Sequence, residues 1–152
     1  MKEFKHILFP VDLSETNEKI VPFVQAMAEK FDSTIHLLFV ARVLNYFSGI
    51  YVPDVSIISF ENSIVKGAEK KLGEFENQHF SNHQATRGSV VSGDAAEEIM
   101  NYIKFNKIDL VIMGTHGRKG LDKVLFGSVA ERVVKTAPVP VMVVNPYKTD
   151  LG

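Results

Sequence analysis

Five short apolar runs, separated by stretches of helical period, constrain this chain more than any other feature. His6-Ile7-Leu8-Phe9-Pro10-Val11, Thr34 to Ala41, Gln84 to Val91, Ile108 to Met113 and Val141 to Val144 have strand length. Between them apolar residues recur every three to four positions. The first set is Ile20, Phe23, Val24, Met27, Ala28 and Phe31, and the second is Phe60, Ile64, Ala68, Leu72 and Phe75. Ile99, Met100 and Ile103 follow, then Val129, Val133 and Val134 on one face of a helix expected over Val124 to Ala137. Five strands alternating with four helices predict an open parallel α/β sheet. Right-handed crossovers place helices on both of its faces. Ligands of such sheets bind beyond the carboxyl ends of the strands, where strand order reverses. Asp12 follows the first strand and Val40 nears the end of the second.

Local signals punctuate the pattern. Ser14 is placed to cap the first helix. Pro22 falls inside that helix and predicts a kink or a late start. Asp94 and Glu97 have the spacing of a capping box, and Pro138-Val139-Pro140 ends the fourth helix. Residues 42–58 have no clear period and contain Gly49 and Pro53, so they read as a long connection of the kind that often carries function. Its aromatic cluster, Tyr46, Phe47, Ile50 and Tyr51, reads as a lid, a partner surface or a loop folded on its own domain.

The fourth strand runs into Gly114-Thr115-His116-Gly117, and nine residues later comes Gly127-Ser128. Strand, glycine-rich loop and helix start form an arrangement that cradles phosphates. Gly114 is expected to turn the chain sharply off the strand. Gly117 leaves room for a phosphate to approach the backbone. At Gly127 and Ser128 a helix begins, where free N–H groups and the positive dipole end point outward. Ser128 adds a hydroxyl donor, and Arg118 and Lys119 add charge. The plainer alternative is a loop using glycine only for turns and a cap. Other nucleotide fingerprints fail. Gly88 to Gly93 has P-loop glycine spacing but continues Asp94-Ala95, without lysine, and no G-x-G-x-x-G follows the first strand.

Asp12 at a strand end could hold a ribose hydroxyl, bind Mg2+ through water, act as a base or cap a turn. His79 and His83 lie four apart but lack a third metal ligand, and their polar surroundings predict exposure. His116 reads equally as a contact for phosphate or partner and as a plain loop residue. His36, between apolar neighbours, reads as structural. No nucleophile–base pair is visible, and Ser128 lacks a nucleophile-elbow sequence.

At 152 residues one domain, 1–152, is expected. With no cysteine the chain has no disulfide, thiolate zinc site or cysteine nucleophile. A net charge of −1 argues against broad binding to nucleic acid or anionic membrane. No long apolar span or signal-peptide pattern is present, so a soluble cytoplasmic protein is expected.

The glycine spacing Gly114-x2-Gly117-x9-Gly127-Ser128 resembles the ATP-binding motif of the universal stress protein family. Pro10-Val11-Asp12 at the end of strand one, Gly93-Asp94-Ala95-Ala96-Glu97-Glu98-Ile99 at the third helix and Pro138 to Val144 extend the likeness over nearly the whole chain. The departures are Ala95, where proline is frequent, and the loop from Arg42 to Ile58. The resemblance implies strand order 3-2-1-4-5 and, with every glycine present, the ATP-binding branch. It implies that Asp12 and Val40 surround adenine and ribose. Met113, Gly114 and Gly117 line ribose and phosphates, and Gly127, Ser128 and Val129 offer donors to the phosphates. With Pro10, Val11, Thr115, His116 and Arg118, these make the expected nucleotide-binding set. The implied cofactor is ATP, accompanied by Mg2+ where phosphates need it. The implied activity is stress signalling with at most slow hydrolysis, and the alternative is a nucleotide-hydrolysing or adenylyl-transferring enzyme. The implied assembly is a homodimer through Val141 to Val144.

Overall fold

The computed structural model describes residues 2–42, 54–83, 85–116 and 127–148. Its strands are β1 His6–Pro10, β2 Thr34–Ala41, β3 Thr86–Ser92, β4 Leu110–Gly114 and β5 Val141–Val144. Its helices are α1 Thr16–Phe31, α2 Asp54–Phe80, α3 Ala95–Phe105 and α4 Ser128–Thr136. The strands form one sheet in the order β3-β2-β1-β4-β5, with every pairing parallel. The expected order is therefore the observed one.

Burial on both faces explains why the strands read as nearly continuous apolar runs. Successive side chains alternate between faces. Ile7, Phe9, Ile35, Leu37 and Ile112 pack with Ile20, Val24 and Ala28 of α1 and Leu72 and Phe75 of α2. Leu8, Leu38, Val111 and Met113 pack with Ile99 and Ile103 of α3 and Ala130 and Val133 of α4. Fully burying one such side chain contributes roughly 1.5–3 kcal/mol. Strand order reverses between β1 and β4, so their carboxyl ends open a crevice at the switch point.

Several local expectations are corrected. Helix α1 starts at Thr16, six residues before Pro22, so there is no late start. Pro22 is exposed, and the Glu18 carbonyl it deprives of a helical N–H lies on the wet side. Ser14 is not the cap. Glu15 holds that position without a side-chain bond, because the Ser14 hydroxyl is engaged by Asp12. Asp54 to Ile58 belong to α2 rather than to the long connection. Val55 and Ile58 stand exposed there, with no buried face to impose a period. In α4, Ala130 and Val133 are buried and Val134 is exposed. The Asp94 side chain accepts from the Glu97 N–H at 3.0 Å, the forward half of the capping box. That bond, aided by Arg132 at 2.9 Å, holds the Asp94 carboxyl below its usual pKa against its own desolvation.

Candidate functional site

A cavity of about 350 Å3 opens at the carboxyl ends of β1, β2 and β4. Pro10, Val11, Asp12, Val40, Met113, Gly114, Thr115, His116, Gly127, Ser128 and Val129 all line it. Sequence segments more than a hundred residues apart thus meet at one place. Gly117, Arg118 and Lys119 of the expected loop, and Tyr46, Phe47, Ile50 and Tyr51 of the long connection, lie outside the described residues. Asn17, Phe39, Arg42, Ile64, Ala95 and Ile99 also line the cavity and were not expected in the site. Ala95 and Ile99 bring in the first turns of α3. The capping signal at Asp94 and the family-like run from Gly93 to Ile99 marked that helix start without assigning it to the site.

The wall after β1 is a hydrogen-bonded turn. The Asn17 side-chain oxygen accepts the N–H of Asp12 at 3.0 Å and that of Leu13 at 2.8 Å. Leu13 takes a left-handed conformation with φ 62°, rare for a bulky residue. Asp12 Oδ1 accepts from the Ser14 N–H at 2.9 Å and from its hydroxyl at 2.6 Å. The Ser14 hydroxyl has one proton and spends it on the carboxylate. Thr16 Oγ1, 2.7 Å away, therefore donates to Ser14. Among the described residues Asp12 Oδ2 makes no hydrogen bond.

The opposite wall joins β4 to α4. The Thr115 N–H donates to the Val144 carbonyl at 2.9 Å, and the Gly127 N–H donates to the Thr115 carbonyl at 2.7 Å. Both glycines serve close approach. A Cβ on Gly127 would lie 3.3 Å from the Thr115 oxygen, and one on Gly114 would lie 3.2 Å from the His116 oxygen. Among the described glycines only Gly93 has a positive φ, so Gly114 leaves β4 without a left-handed conformation. Gly127 occupies the N-cap of α4 and has no side chain to satisfy the first-turn N–H groups. Those donors and the positive helix end face the cavity at Ser128, Val129 and Ala130.

His116 is 8% exposed. Its Nδ1 lies 2.9 Å from Thr115 Oγ1, and its ring meets Tyr147 edge-on at 5.1 Å. It is packed into the wall rather than free in the loop. Thr115 and His116 make a hydroxyl–imidazole contact that sequence reading missed, because adjacent residues carry no spacing signal. Asp12 is the only acidic side chain among the described residues lining the cavity.

The other histidines lie elsewhere. His36 is buried, 2.8 Å from the Tyr102 hydroxyl and 3.2 Å from His6 Nδ1. Burial first, then the charge of His6, lowers its pKa to about 4. The His79 ring packs at a tilt against Phe75, centroids 4.7 Å apart, and His83 Nε2 sits 2.7 Å from the Ser33 carbonyl. Both are partly buried, contrary to expectation, because α2 packs against α1 and β2 at that end. Among the described residues no cluster of three His, Cys, Asp or Glu could hold a metal. Nor is any described helix long and apolar enough to cross a membrane.

Comparison with known proteins agrees with this architecture. Universal stress protein MJ0577 of Methanocaldococcus jannaschii is 29% identical over 154 residues, covering 93% of this chain and 95% of its own. The solved structure of MJ0577 matches with a TM-score of 0.83 at 28% identity, over 95% of this chain and 97% of that one. A universal stress protein solved in complex with cAMP shares the fold, with a TM-score of 0.69 at 14% identity, over 95% and 99% of the two chains. The Archaeoglobus fulgidus protein solved in complex with dAMP also shares it, with a TM-score of 0.63 at 16% identity, over 93% and 98%. The model of the universal stress protein family matches residues 3–145, and this chain belongs to that family.

Proposed function

We propose that this chain is an ATP-binding module that signals adenine-nucleotide status under stress, acting in the cytoplasm as a homodimer. The observation that carries the reading is a cavity lined by groups of different chemistry. It offers the uncapped amides of α4 and the Ser128 hydroxyl, which suit phosphates. Apolar Val11, Val40 and Met113 and the Asp12 carboxylate also line it, and these suit adenine and ribose. A volume of about 350 Å3 lies within the roughly 300–1,000 Å3 of small-molecule sites. The cAMP and dAMP complexes of proteins with this fold support an adenine nucleotide. Mg2+ would accompany the phosphates, a role that needs only one or two protein carboxylates.

Any hydrolysis is slow in this reading. Asp12 Oδ1 is already engaged by Ser14, and no second described carboxylate lines the cavity to orient His116 or a water. The dimer would form along β5, whose outer edge is unpaired in the sheet and whose Val143 is exposed. The test is to denature protein purified without added nucleotide, identify the released small molecules by mass spectrometry, and titrate emptied protein with ATP. Near-stoichiometric ATP, or saturable ATP binding, supports the reading. An empty protein that ATP does not titrate overturns it.

A further inference from the structure

We infer that Asn17 sets the sugar specificity of this site as a positioning residue, by fixing the Asp12 carboxylate. The inference rests on the adenine-nucleotide reading and deepens it. Asn17 is 6% exposed in the first turn of α1, and its Oδ1 receives two backbone N–H donors, from Asp12 and Leu13. Two donors on one oxygen leave its amide a single orientation. They also hold Leu13 at φ 62°, a conformation an L-residue resists without such support.

Among the described residues, every bond made to the Asp12 side chain falls on Oδ1. The Ser14 N–H and hydroxyl both donate to it, and Thr16 backs the hydroxyl. The carboxylate is therefore pinned by one oxygen in a residue that lines the cavity. A fixed carboxylate oxygen repels phosphate and accepts from a hydroxyl. On an adenine nucleotide the hydroxyl donors belong to the sugar. Without the Asn17 acceptor two part-buried amides lose their partner, Leu13 relaxes and the Asp12 carboxylate moves with the turn.

The probes are ATP, 2′-deoxy-ATP, 3′-deoxy-ATP and ADP, each titrated calorimetrically. Wild-type protein should prefer ATP to at least one deoxy analogue by about ten-fold, the worth of a hydrogen bond to a charged group. Asp12→Ala should erase that preference. Asn17→Leu should erase it too, and the double variant should be no weaker than Asp12→Ala alone. The ATP-to-ADP ratio, which reads the phosphate end, should stay constant in Asn17→Leu, whereas general damage to the fold would move it. Asn17→Asp keeps both acceptor contacts and should keep the sugar preference even though its charge lowers affinity. Asn17→Ala, where water can enter, serves if the leucine variant does not fold. An Asn17→Leu or Asn17→Ala protein with wild-type sugar preference overturns the inference, as does a wild type that binds all three triphosphates equally. A wild type that binds none of them overturns the nucleotide reading itself.

Discussion

Gly127 has φ −56° and ψ 143°, angles open to any residue, so its missing side chain matters for space rather than for conformation. A valine there would press on the Thr115 oxygen and fill the approach to the α4 amides. Gly127→Val should lose ATP binding while keeping its circular dichroism spectrum, and unchanged affinity in the folded variant would refute the phosphate assignment. His36 makes a different prediction. Its folded pKa of about 4 lies below the roughly 6.5 of an unfolded histidine. Between those values the unfolded chain takes up a proton that the folded chain refuses. The stability is thus full above about pH 6.5 and falls as pH drops toward 4, by up to about 3 kcal/mol. Urea midpoints at pH 7 and pH 4.5 should converge in His36→Gln relative to wild type, and parallel shifts would count against it. At this scale the sequence was half legible. The glycines and Asp12 stand out by type and position, whereas Asn17 is one polar residue at a helix start, and only the turn it holds gives it a role.

Elements were more legible than residues, because burial writes a period into the sequence. β2 runs from Thr34 to Ala41 as read, and α3 begins behind the Asp94 cap as read. The failures occur where burial is missing. The first turns of α2 carry Val55 and Ile58 in the open, so their apolar residues follow no face. Pro22 misled for the same reason, since an exposed proline removes one solvent-side bond and leaves the buried stripe of α1 intact. The Asp94 cap also ties α3 to α4 through Arg132. Asp94→Ala should destabilise the protein by about 1 kcal/mol, read as a lower midpoint in urea. An effect confined to Arg132→Ala would show that the ion pair, not the cap, holds the helix start.

For the whole molecule, the site exists because strand order reverses between β1 and β4, which lets two helix starts and the β1 turn face one another. Alternation of elements made a parallel sheet foreseeable, and the family resemblance supplied its strand order; what fills the cavity wall at Ile64 and Arg42 depends on tertiary packing that no local pattern encodes. The outer edge of β5 predicts assembly. Val143→Lys should shift the protein toward monomer in sedimentation velocity, and an unchanged dimer would place the interface elsewhere. The position of β1 has a consequence in time. Ile7 pairs with Ile35 on one side and with Leu110 on the other. During synthesis β1 gains its first partner early, but its second emerges about 75 residues later. At about 5–20 residues per second that delay lasts roughly 4 to 15 seconds. Through that interval the central strand of the finished sheet presents an open apolar edge, and the ribosome-bound half-sheet is a natural client for a chaperone.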